Sequence, residues 1–156
     1  TPADNRTDYI KRLIGLPGDQ IQFMDSNLYV NNSEILKSKL KNKKKIFCGT
    51  SEFDTFLFEE SISEKRKHLT VYSKKNSYQN SDPFIVPDKH YFFLGDNRDC
   101  SKDSRFLTSV GYVHEDNLVG KAQFIFFSSD KSFGSILYFW KWNKSIRFDR
   151  FFKKIK

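Results

Sequence analysis

The chain has 156 residues, 38% of them hydrophobic, and a formal net charge of +8. That length accommodates one sizeable core and excludes two full domains. The positive balance invites a nucleic-acid partner, but aromatic and basic residues do not alternate in any single-strand or RNA-binding pattern, so no nucleic-acid partner is expected. The basic excess sits instead in a run from Lys37 to Lys45 and in the tail after Asp130.

In chain order, the first predicted element is a strand around Tyr9 to Ile14. A side-chain period of two puts Tyr9, Lys11 and Leu13 on one face and Ile10, Arg12 and Ile14 on the other, so each face carries one cation between apolar neighbours. A lysine withdrawn from water loses solvation of its charged form, and the neutral amine that results can act as general base to a serine. The plainer alternative is a lysine that snorkels its ammonium to the surface. Pro17-Gly18-Asp19 ends this strand, with Pro presetting φ and Gly taking φ > 0. Ile21 and Phe23, then Leu28 and Val30, flank Asp25-Ser26-Asn27 as a hairpin.

After Asn31 the alternation fails. Residues 32–82 read as an insertion, a small β subdomain or long irregular excursion, with weak strand signals at Phe53 to Phe58 and Leu69 to Tyr72. The remaining 1–31 and 83–156 form the core. Phe84-Ile85-Val86 and Tyr91 to Leu94 are buried strands, Ala122, Phe124 and Phe126 alternate in a further strand, and long amphipathic helices are missing. No metal site is expected, since His68, His90 and His114 lie apart and neither cysteine has a CxxC partner.

Gly95-Asp96-Asn97-Arg98-Asp99-Cys100-Ser101-Lys102-Asp103-Ser104-Arg105 is too dense in pairable polar groups for an ordinary turn. In the tail, Phe148, Phe151, Phe152 and Ile155 follow i, i+3, i+4, i+7 spacing, with Arg147, Arg150 and Lys154 opposite. That pattern predicts a short interfacial helix over Ser145 to Ile155 and an anionic membrane surface as partner. The same aromatics, with Trp140 and Trp142, could instead fill the core.

The block Tyr9-Ile10-Lys11-Arg12 to Gly15-Leu16-Pro17-Gly18-Asp19 and the polar loop resemble the YIKRxxGLPGD and GDNRxxSxDSR motifs of bacterial type I signal peptidases, in the family's order. The resemblance implies a mainly β fold of coiled antiparallel sheets or a partial barrel. It implies a serine endopeptidase of the Ser/Lys type that removes signal peptides from exported preproteins after Ala-x-Ala-like sites, without a cofactor, at the bacterial inner membrane on its periplasmic side. By motif position Lys11 is the general base and Ser101 holds its amine. Asp103 with Arg105 supports the loop, and Asp96 pairs with Arg12. Tyr9 and Ile10 line shallow pockets, and Asp8 to Ile10 offers backbone hydrogen bonds to an extended substrate.

The family's nucleophile motif, Ser-Met-x-Pro, has no counterpart, because the single methionine, Met24, follows Phe23. The chain therefore corresponds to the C-terminal catalytic portion without anchor or nucleophile, and is expected to be inactive alone. The alternative is a nucleophile-less module that binds signal peptides or membranes. Cys48 and Cys100 are expected to stay unpaired, one lying in the insertion and the other in the middle of the tight polar loop.

Overall fold

In the computed structural model, residues 7–48, 51–63, 66–73, 78–129, 140 and 142–155 are described, and the first strand is shorter than its sequence pattern. β1 covers Arg12–Gly15, so Lys11 lies just ahead of it rather than inside it. The cause is the partner strand, whose ladder with β1 closes at the pair Arg12 and Leu94; at Gly95 the partner turns away. Beyond β1 the chain reverses at Leu16 to Asp19, with Gly18 at φ +86 and the Asp19 N–H donating to the Leu16 carbonyl at 3.0 Å.

β2 (Gln20–Met24), β3 (Asn27–Val30) and β4 (Ser33–Glu34) follow as successive hairpins. Each two-residue connection has both residues at positive φ: 48° and 67° for Asp25 and Ser26, 50° and 62° for Asn31 and Asn32. This backbone twist matches that of paired antiparallel strands, and Asn and Asp tolerate it best after glycine.

β5 (Leu36–Cys48), β6 (Ser51–Ser63) and β7 (Arg66–Ser73) form a separate three-stranded sheet in the order β5-β6-β7. Sequence alone reads most of this stretch as irregular. What holds it in strands is cross-strand chemistry rather than apolar alternation: Lys39 Nζ lies 3.5 Å from the Phe56 ring centroid, Lys37 Nζ lies 4.9 Å from that of Tyr72, and Lys37 stands opposite Glu60.

β8 (Phe84–Ile85) completes the sheet β4-β3-β2-β8, and β9 (His90–Leu94) lies between β1 and β10 (Val113–His114). Ile21, Phe23, Leu28, Ile35, Phe84, Val86, Phe92 and Leu94 make one buried cluster drawn from both sheets. Burial of each such side chain contributes about 1.5–3 kcal/mol, so these two sheets form the rigid base of the fold.

The chain divides into two compact units, Thr1–Val119 and Gly120–Lys156, a boundary that no composition shift in the sequence marks. In the second unit β11 is only Phe124–Ile125. It is followed by α1 (Trp142–Ser145), a 3₁₀ turn at Phe148–Arg150, and β12 (Lys153–Lys154), which pairs antiparallel with β11. The helix expected over Ser145 to Ile155 does not form. Phe152 sits at φ +56, and the Phe152 and Ile155 N–H groups donate to the carbonyls of Ile125 and Gln123. Phe151 meets Phe127, and Phe152 meets Phe124. A segment this short is a marginal helix by itself, and strand pairing with ring contacts outweighs it. The tail residues 131–139 lie outside the described residues. The described residues are mainly β, as expected, and α1 is the one α-helix among them.

The expectation of two free thiols is overturned. β5 carries Cys48 to the polar loop, where it is bonded to Cys100 with Cα atoms 5.6 Å apart. A separation of 52 residues along the chain conceals this proximity. A cross-link closing a loop of this size stabilises by about 2–4 kcal/mol. Replacing both cysteines by serine should therefore lower the urea midpoint of the chain by a corresponding amount. An unchanged midpoint would show that the bond contributes nothing in solution.

Candidate active site

Because Arg12 and Leu94 are paired, the residues just beyond them, Lys11 and Gly95, emerge side by side at one end of the sheet. From Gly95 the loop runs out and returns to β9, where the Ser104 N–H donates to the Phe93 carbonyl at 3.0 Å and Ser104 Oγ accepts from the Phe93 N–H at 2.9 Å. This return brings Ser101 over Gly95. Lys11 Nζ donates to Ser101 Oγ at 2.7 Å.

Gly95 has no room for a side chain. A Cβ there would lie 2.1 Å from Ser101 Oγ, 2.4 Å from Ser101 Cβ and 3.4 Å from Lys11 Nζ. The sequence reading counts Gly95 only as the first residue of the polar block; its role as the floor of the site comes from the loop folding back, which no local signal reveals.

Two bidentate ion pairs flank the lysine. Arg12 donates to both carboxylate oxygens of Asp96, at 2.7 and 2.9 Å. Arg105 donates to both oxygens of Asp103, at 2.8 and 2.9 Å, and that pair is buried. Asp103 also accepts from the Gly95 N–H at 3.0 Å, and Arg105 Nη2, one of the two nitrogens on Asp103, donates as well to the Arg98 carbonyl. Breaking one partner out of a buried pair of this kind costs about 3–5 kcal/mol.

Burial holds the half-buried Lys11 amine below the ordinary lysine pKa. The charge of Asp103 opposes this and that of Arg105 reinforces it. The arrangement therefore eases loss of the proton from an amine that a hydroxyl orients. Asp8, Tyr9 and Ile10 precede β1 and are exposed, with the Tyr9 ring centroid 5.3 Å from Lys11 Nζ. Among the described residues no group of three or more His, Cys, Asp or Glu side chains is placed to hold a metal ion.

The family described as "Signal peptidase, peptidase S26" matches residues 1–127. The chain belongs to this family. Relatives called signal peptidase I include those of Rickettsia prowazekii (strain Madrid E), 38% identical over 99% of this chain and 62% of the relative, and Rickettsia typhi, 37% identical with the same coverage. That of Rickettsia bellii (strain OSU 85-389) is 37% identical over 99% of this chain and 56% of its own length. The chain thus spans about three-fifths of the length of these relatives. A solved signal peptidase I from Enterococcus faecalis V583 is 26% identical, covering 72% of this chain and 80% of its own, with a TM-score of 0.39.

The close approach at Gly95 yields a test of the geometry. Gly95→Ala should destabilise the chain by about 1–3 kcal/mol through overpacking. Because the obstructing atoms belong to the Ser101 side chain, Gly95→Ala combined with Ser101→Gly should recover most of that loss in chemical denaturation. Additive losses in the double variant would place Ser101 elsewhere.

Proposed function

We propose that this chain is the catalytic portion of a Ser/Lys endopeptidase that removes signal peptides from exported preproteins after Ala-x-Ala-like sites. The observation that carries the reading is the contact of Lys11 Nζ with Ser101 Oγ at 2.7 Å, in surroundings that lower the lysine pKa. In its neutral form Lys11 accepts the proton of a nucleophilic serine hydroxyl, whose oxygen then attacks the scissile carbonyl carbon. Ser101 holds the amine in line for that transfer. The nucleophile, by this reading, comes from a segment outside the chain, and the protein acts at the bacterial inner membrane with this part on the periplasmic side. No helix among the described residues is long and apolar enough to cross a membrane.

Substrate binding is assigned to Asp8, Tyr9 and Ile10. These exposed residues, just ahead of β1, are suited to pair with an extended peptide, and Tyr9 and Ile10 offer apolar surface to small side chains. An anionic bilayer is the second partner. In the second unit Phe124, Phe126, Trp140, Trp142, Phe148 and Phe152 are exposed close in sequence to Arg147, Arg150, Lys153 and Lys154, a composition that suits a lipid interface. Liposomes of anionic lipid should retain the chain at low salt, and Arg147→Glu, Arg150→Glu, Lys154→Glu should release it; equal retention of both would remove lipid from this reading.

The chemistry is tested through Lys11. The chain alone should leave an Ala-x-Ala peptide uncut. In a protein that joins it to a nucleophile-bearing segment, Lys11→Ala should abolish cleavage, and Lys11→Arg should not restore it, because guanidinium keeps its proton at every working pH. Ser101→Ala should lower turnover by about ten- to a thousandfold with the fold intact. Since the neutral amine is the working form, activity should rise with pH as Lys11 loses its proton and level off at a pH where an ordinary lysine is still charged. Turnover by the chain alone, surviving a control for contaminating protease, would contradict the assignment of the nucleophile.

A further inference from the structure

The buried face of the third sheet is polar. On β7, His68, Thr70 and Tyr72 point inward while Leu69 is exposed, and on β6 Glu60 is buried with them. These residues meet Arg98, which is only 1% exposed. Arg98 Nη1 donates to Glu60 Oε1 at 2.9 Å, and its Nη2 donates to Glu60 Oε2 at 2.5 Å. Tyr72 Oη donates to Glu60 Oε1 at 2.8 Å and accepts from Arg98 Nη1 at 2.9 Å. His68 Nε2 lies 3.6 Å from Glu60 Oε2, and Lys37 stands opposite Glu60 in the ladder.

Burial alone would raise the Glu60 carboxyl, yet His68, Arg98 and Tyr72 overcome it and hold the group at about 2. Glu60 is therefore ionised and fully engaged at any working pH.

The same sheet grips the loop through its backbone. The Val71 N–H donates to the Asp96 carbonyl at 2.8 Å, the Arg98 N–H donates to the Val71 carbonyl at 2.9 Å, and Asp99 accepts from the Ser73 N–H at 2.6 Å. From Arg98 the contacts run straight into the site: its carbonyl accepts from Arg105, which is paired with Asp103, which binds the Gly95 N–H beneath Ser101.

We propose that Glu60 is a positioning residue for the Lys11–Ser101 pair, acting through Arg98 and the loop that Arg98 anchors. The inference deepens the reading of Lys11 as general base and rests on it. A carboxylate on β6 fixes the guanidinium, the guanidinium fixes the loop at residues 96–98, and the loop sets Ser101 against the half-buried amine. In this arrangement the third sheet is the wall on which the site is mounted.

The experiment follows the Lys11 side-chain titration by NMR in the isolated chain, together with amide hydrogen exchange at Arg98 and Ser104, for the wild type, Glu60→Gln, Tyr72→Phe and Leu69→Ala. In the wild type Lys11 should titrate below an ordinary lysine, chiefly because of its burial, with Asp103 opposing and Arg105 reinforcing the shift. Glu60→Gln should move that titration upward toward a solvated lysine, and the two amides should exchange about tenfold faster or more. Tyr72→Phe removes one hydroxyl and no charge; it should shift both readouts in the same direction by less, and decides the matter should Glu60→Gln not fold. Leu69→Ala, outside the cluster, should move neither. Folded Glu60→Gln or Tyr72→Phe chains with wild-type Lys11 titration and wild-type exchange would overturn the role of Glu60 while leaving Lys11 as base. A wild-type Lys11 that titrates like a solvated lysine would overturn the base itself, and this inference with it.

Discussion

A lysine amine gives up its proton readily only where its charged form is poorly solvated, and here that requirement falls beside a carboxylate. Burial is the largest influence on Lys11 and lowers its pKa, while the charge of Asp103 opposes it. The bidentate lock of Arg105 on Asp103 sets a compensating cation beside that carboxylate, and the charge of Arg105 lowers the lysine further. Asp103 is thereby free to spend a lone pair on the Gly95 N–H, tying the floor of the site to the same ion pair.

Burying an ion pair is a poor way to gain stability, because desolvation cancels much of the attraction. Two such pairs hold one loop, Glu60 of β6 with Arg98 and Asp103 with Arg105, and the gain is geometric. Guanidinium groups that accept only forked, coplanar partners leave the loop few alternative conformations. The polar inner face of β7 follows from this. It covers a charged loop instead of the apolar core, so the strand places His68, Thr70 and Tyr72 inward and leaves Leu69 in water.

That inversion also explains where the sequence is legible. Signals that depend on neighbours along the chain correspond to observed elements: the Pro17-Gly18 turn, the Asp25-Ser26 hairpin, and the core strands around Phe92 and Phe84. Motif order names Lys11, Arg12, Asp96, Ser101, Asp103 and Arg105, and the fold gathers these six at one strand–loop junction. Glu60 and Arg98 carry no local signal of their partnership, since their pairing is visible only once β6 lies against the loop. β5 escapes detection for a related reason: it is dominated by lysines rather than by an apolar alternation, and the amines of Lys37 and Lys39 lie over rings supplied by other strands. The tail errs in the opposite direction. Phe148, Phe151, Phe152 and Ile155 fit a helical period, but hydrogen bonds to Gln123 and Ile125 lie far away in sequence and decide the conformation.

The attachments of the loop are spaced along its backbone. Asp96 and Arg98 are held by β7, Asp99 by Ser73, Cys100 by the bond to Cys48, and Ser104 by Phe93. Ser101 is the residue immediately after the covalent tie. Ordering a free backbone costs about 1–2 kcal/mol per residue, and a loop left to order itself around a substrate would meet that cost at the moment of reaction. Here the sheets and the cross-link meet it on folding. The Lys11–Ser101 distance is then a property of the resting fold, and on the proposed reading binding energy from a peptide is left to align the scissile bond.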